Sequence, residues 1–144
     1  MSAMAGWLDT NVLLRFFLND HPTQSPRARM LIAAAEKGFV VLKVPSHVTC
    51  EVVYILESKG YGAADVANVL RSFSLIDGIE FAESQAIFEA LIDYRDHKVD
   101  FADALTAALA RNTGEKVWTF DAKHFKRLNV IWAEPGPLEA GGAD

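Results

Sequence analysis

Short apolar runs alternate with helical segments along nearly the whole of this 144-residue chain, and no other feature constrains its fold as tightly. Residues 5–8 read as a short buried strand, and a helix-like segment follows at 10–18. Thr23 and Ser25 with Pro26 mark a second helix start, because proline suits the first helical turn; that helix stops at Gly38. Phe39 to Val44 form the next strand, closed by Pro45, and Ser46 then caps a helix that runs to about Lys59 and ends at Gly60. Residues 63–74 place Val66, Val69, Leu70 and Phe73 at helical spacing. A weak strand at 79–81 precedes a helix at about 84–96 that buries Ile87, Leu91 and Ile92, and another helix spans about 101–112, closed by Gly114. A strand at 116–120, a turn of helix at 122–127 and a final strand at 129–133 complete the series.

Strands that alternate with helices imply a parallel sheet covered on both faces. The expected class is therefore α/β, three layers deep, with a central, mostly parallel sheet flanked by helices. A chain of this length makes one domain and buries roughly 68–70% of its unfolded surface, and 51% hydrophobic residues exclude disorder. The domain is assigned to residues 1–133; residues 134–144, rich in Pro, Gly and Ala, are expected to fray. Trp7, Trp118 and Trp132 fall in strand-like runs and are assigned to the core. Phe16, Phe17 and Leu18 exceed what one helix face needs to bury, and with Val12, Leu13 and the 63–74 helix they suggest a surface for a partner.

In such sheets ligands bind outside the carboxyl ends of the strands, and two acids stand there. Asp9 ends the run Ala5-Gly6-Trp7-Leu8, and Asp121 ends Val117-Trp118-Thr119-Phe120. Glu51 lies inside a mostly apolar helical pattern, and Asp103 in the first turn of another helix. If these four converge, their charge is hard to hold without a cation. Carboxylate oxygens are hard donors that suit Mg²⁺ or Mn²⁺, the ions that bind phosphates. Phosphodiester chemistry follows.

Taken singly, each acid has a plainer reading. Asp9 and Asp121 could cap the helices that follow them, and Asp100 with Asp103 has the spacing of a cap and a first-turn acid. Glu51 resists this reading. Among Val48, Val52, Ile55 and Leu56, its carboxylate needs a partner, such as an arginine, or it neutralises.

The stretches Leu8-Asp9-Thr10-Asn11-Val12-Leu13-Leu14, Asp100-Phe101-Ala102-Asp103-Ala104-Leu105 and Thr119-Phe120-Asp121-Ala122-Lys123-His124-Phe125, with Glu51 between the first two, resemble the PIN-domain ribonucleases. Within that family the VapC-type toxins of bacterial toxin–antitoxin pairs are the nearest in pattern, over roughly residues 6 to 132. The resemblance implies that Asp9, Glu51, Asp103 and Asp121 are metal-binding acids, and that Asn11 and Thr119 accompany the first and last of them. It also implies an RNA substrate, a homodimer and a small VapB-like antitoxin as inhibitor. Asp100 reads as a supporting residue or a cap.

Several classes are disfavoured. The single cysteine, Cys50, excludes a disulfide framework or a thiolate zinc site within one chain. No apolar run approaches the 18 or so residues of a membrane span, and the N-terminus lacks a signal pattern, so a cytoplasmic protein is expected. The net charge of −5 argues against a broad nucleic-acid coat but not against a local basic rim. Arg15, one turn after Asn11, and Lys123, Lys126 and Arg127 after Asp121 are the candidates for that rim. His21, His47, His97 and His124 lack the i, i+4 spacing of a helical metal pair and read as surface or helix-end residues. An aspartyl-phosphate enzyme of the haloacid-dehalogenase type would want an acid where Asn11 stands, and a receiver-like domain would not need Glu51. A PIN-like RNA-processing nuclease outside a toxin–antitoxin pair and a non-catalytic PIN-like module are the remaining alternatives.

Overall fold

The computed structural model describes residues 4–138. Its strands are Met4–Trp7 (β1), Val40–Val44 (β2), Ile79–Phe81 (β3), Val117–Trp118 (β4) and Trp132–Ala133 (β5). β2 is central to a parallel three-stranded sheet of order β1-β2-β3, with Gly6 opposite Leu42 and Leu42 opposite Ile79. β4 and β5 make a second, two-residue parallel ladder. The expected parallel α/β architecture is thus present, with its sheet in two pieces.

Seven helices surround the strands: Thr10–Leu18 (α1), Gln24–Glu36 (α2), Ser46–Ser58 (α3), Ala63–Ser74 (α4), Ser84–His97 (α5), Phe101–Thr113 (α6) and Ala122–Phe125 (α7). Their buried residues repeat at three and four positions, as in α4, where Val66, Ala67, Leu70 and Phe73 face inward. Leu13, Leu70 and Ile87 are fully enclosed, as are Val44, Val48, Val52 and Val53.

Three expectations need correction. β1 is not buried: it pairs on one edge only, and Trp7 is 63% exposed. Trp118 is 48% exposed and Trp132 half-buried, because β4 and β5 pair only with each other. Ammonium groups stand over both exposed rings, Lys43 at 5.5 Å from Trp7 and Lys116 at 5.1 Å from Trp118. Ile92 is half-exposed because the inward stripe of α5 is Ile87, Ala90, Leu91 and Tyr94, and position 92 falls off it. The aromatic surplus of α1 meets α4: the Phe16 and Phe17 rings lie 5.6 and 5.1 Å from Phe73 of that helix. The surplus is thereby taken up in part, and Phe16, Phe17 and Leu18 remain half-buried. Of the tail expected from residue 134, residues 134–138 are exposed coil and 139–144 lie outside the described residues.

Two cross-ties hold the C-terminal elements in place. Arg111 of α6 reaches Glu89 (3.3 Å) and Asp93 (3.5 Å) of α5, and also donates to the Asn129 carbonyl at 2.8 Å. Arg127 donates to the Lys98 carbonyl at 3.1 Å, linking the residues after α7 to the loop before α6. Arg111 thus ties the far end of α6 to α5 and Asn129, and the Arg127 tie holds the end of α7 beside the start of α6. The acids of both elements meet there.

Candidate metal centre

Asp100, Asp103 and Asp121 come together through the way their helices begin. Asp100 is the N-cap of α6, its Oδ1 accepting from the Ala102 and Asp103 amides at 2.7 and 3.3 Å. Asp103 therefore stands in the first turn, half-buried, beside a second carboxylate. Asp121 caps α7 in the same manner: Oδ1 accepts from the His124 amide at 3.1 Å, leaving Oδ2 2.6 Å from His124 Nδ1. Thr119 Oγ1 accepts from the Asp121 amide at 2.9 Å and so sets the turn that carries the acid.

Donor atoms of Asp103, Asp121 and His124 all lie within 4.8 Å of one another. Such a set would hold one divalent ion. The electrostatics of the pair are asymmetric. Partial burial, then the charges of Asp100 and Asp121, push the Asp103 carboxyl up, against an opposing pull from His124. The hydrogen bond from the His124 ring, followed by that from its backbone amide, holds Asp121 below the usual carboxylate range. Asp103 is thus the acid whose ionised form is least satisfied by the protein.

Asp9 and Glu51 stand outside that three-residue group. Asp9 is exposed at the N-terminus of α1, and its side chain does not cap the helix, so capping is not what it is used for. Its neighbour Thr10 is buried and donates through Oγ1 to Glu51 Oε2, which ties the start of α1 to α3. Glu51 is itself exposed, not enclosed by the apolar stripe. It also faces α6: burial, then the charges of Asp100 and Glu51, push the half-buried Cys50 thiol up. Cys50, Glu51, Asp100 and Ala102 line one groove between α3 and α6. Glu51 and Asp100 thus share one groove, Asp103 and Asp121 meet at the α6–α7 junction, and Asp9 stands at the start of α1 beside the Thr10 that reaches Glu51.

The basic candidates divide. Arg15 is ion-paired with Asp20 at 2.8 Å and lines a groove between α1 and α2 with Asn11 and Arg27. Lys123, Lys126 and Arg127 are exposed around α7, Arg127 through its tie to Lys98. His124 is the residue that sequence reasoning passed over as a helix-end side chain. Its signal was the i+3 spacing from a capping aspartate, which puts both its amide and its ring against that carboxylate.

A family model described as PIN domain matches residues 7–131 of this chain. No curated protein matches it. A similar solved structure is the crystal structure of VapBC2 from Rickettsia felis bound to a DNA fragment from their promoter. It is 18% identical with a TM-score of 0.37, covering 92% of this chain and 100% of that one.

Proposed function

Since the chain belongs to the PIN-domain family, whose domains are nucleases, we propose that it is a metal-dependent endoribonuclease, the toxin of a VapBC-type toxin–antitoxin pair. The observation that carries the reading is the meeting of Asp103 and Asp121 with His124 at the junction of α6 and α7. Two carboxylates, one of them pushed toward protonation by partial burial and then by the charges of Asp100 and Asp121, are what a divalent cation would relieve. Oxygen donors of this kind suit Mg²⁺ or Mn²⁺.

When bound, the ion supplies charge neutralisation at a phosphate and activation of an attacking water. The residues of this chain do the rest. Asp103 and Asp121 would hold the ion. Thr119 fixes the turn that aims Asp121, and Thr10 fixes Glu51, so that Glu51 and Asp9 would serve the same ion from the α1–α3 side. Asp100 supports Asp103 from the cap position, and Asn11 accompanies Asp9 at the start of α1. Lys123 and Lys126, exposed beside α7, receive the phosphates that flank the scissile bond. RNA rather than DNA, and the toxin role, rest on the sequence resemblance.

Thermal melting tests the metal. A ligand that binds only the folded state stabilises it by about 2.7 kcal/mol at 100 times its dissociation constant. Mn²⁺ should therefore raise Tm by several degrees, and EDTA should abolish cleavage of an RNA panel. A Tm indifferent to millimolar Mg²⁺ and Mn²⁺ would remove the basis of the reading.

The domain is assigned to residues 1–133 of a cytoplasmic protein that pairs with itself and with a small antitoxin. No helix among the described residues is long and apolar enough to cross a membrane. The protein is expected to co-purify with the product of the adjacent gene, inactive, and to scatter light as a dimer. A monomer that keeps full activity with that product present refutes the partner assignments and leaves the nuclease standing.

A further inference from the structure

We propose that His124 supplies a nitrogen ligand beside Asp103 and Asp121, and that the centre therefore selects Mn²⁺ over Mg²⁺. The inference rests on the metal-dependent reading above and specifies the ion that this chain's donors favour.

The argument begins with how α7 starts. Because Asp121 caps the helix through Oδ1, the residue three positions on must bring its amide to that oxygen. His124 occupies that position, and its ring turns onto the other oxygen, Nδ1 lying 2.6 Å from Oδ2. Both oxygens of Asp121 thus face one residue. The ring is not sequestered by this contact: the side chains of His124 and Asp121 are 40% and 42% exposed. Asp103 reaches the same place from α6, so two helices deliver an O, O, N donor set to one point. The ring thus lies within 4.8 Å of a donor atom of Asp103 as well as of Asp121, close enough for one ion to serve all three.

The donor set decides the ion. Mg²⁺ takes oxygen ligands in near-ideal octahedral geometry, keeps its waters and gives up hydration reluctantly. Imidazole nitrogen is a softer donor that belongs with first-row transition ions. Substituting nitrogen for one oxygen costs Mg²⁺ more than Mn²⁺. The other histidines offer no such set: among the described residues, no other group of three or more His, Cys, Asp or Glu side chains shares this proximity.

The test reads the ligand directly, through electron spin echo envelope modulation of Mn²⁺ bound to the full chain. The parent protein is expected to show modulation from a directly bonded ¹⁴N nucleus, and His124→Gln is expected to lose it while still binding Mn²⁺. In calorimetric titrations of the same two proteins, the Mn²⁺-to-Mg²⁺ affinity ratio should fall at least about tenfold in the variant. Bound Mn²⁺ without ¹⁴N modulation in the parent, or modulation that persists in His124→Gln, overturns the role of His124 and leaves the carboxylate centre intact. No binding of Mn²⁺ to the parent overturns this inference together with the metal-dependent reading. The parent measurement needs no variant to fold.

Discussion

Replacing Asp103 by Asn is expected to lower RNA cleavage on the order of 10³-fold while raising the melting temperature of the metal-free protein. A factor of that size corresponds to about 4 kcal/mol of transition-state stabilisation, comparable with removing a preorganised group aimed at developing charge. Asn has nearly the same volume, and Asp103 caps nothing, so the variant loses charge and little else. The rise in Tm follows from the neighbours. Partial burial, then Asp100 and Asp121, push the Asp103 carboxyl up in the folded state. A carboxyl raised in this way makes its ionised form a cost to the fold. That cost is present in full above the folded-state pKa and disappears as pH falls below the ordinary aspartate range. The Tm difference between Asp103→Asn and the parent should therefore be largest near neutral pH and close on acidification. Calorimetry across that range, beside cleavage with added Mn²⁺, measures both. Parental cleavage by the variant would exclude Asp103 as a ligand, and a lower Tm would show that its carboxylate stabilises the fold.

The largest loss of stability is expected from Gly78→Ala. Gly78 ends the turn between α4 and β3 with φ at +87°, in a region that L side chains rarely adopt. A Cβ there would lie 2.5 Å from the Ala35 carbonyl oxygen and 2.9 Å from its carbon, both backbone atoms of α2 that cannot swing aside. The Gly78 carbonyl also accepts from the Leu42 amide at 2.7 Å, so any shift breaks into the β2–β3 ladder. Left-handed geometry costs roughly 1–2 kcal/mol and overpacking roughly 1–3 more. Tm should fall on the order of 10 °C for a domain of this size. Gly38→Ala is the control: its φ is +89° but nothing lies within 4 Å of the added carbon. It should lose only the roughly 1–2 kcal/mol of the backbone term. Equal losses in the two variants would mean that the contact with Ala35 does not matter.

Local rules carried the sequence reading a long way. The α4 helix spans the 63–74 segment that its apolar spacing marks, and Gly114 closes α6 in the left-handed conformation expected of a C-cap. The parallel pairing of β1, β2 and β3 follows from helices lying between successive strands, and Asp100 caps α6 as its position suggests. These features depend on residues within a turn or two of one another, and sequence order contains that information.

Tertiary structure decided everything that depends on which surfaces meet. The runs around Trp7 and Trp118 read as core strands, yet an apolar strand is buried only if a partner reaches both its edges and its faces. β1 is an edge, and β4 pairs with β5 alone. Phe16 and Phe17 of α1 pack against Phe73 of α4, a contact between helices far apart in sequence. Asp103 and Asp121 are 18 positions apart, and they meet at His124 where the residues after α7, tied to Lys98 through Arg127, lie beside the start of α6. Sequence determined which residues could carry charge to the end of a strand or the first turn of a helix, because that is a matter of local geometry. Which of those charges share one point in space was settled by long-range packing, because it depends on how distant helices seat against each other.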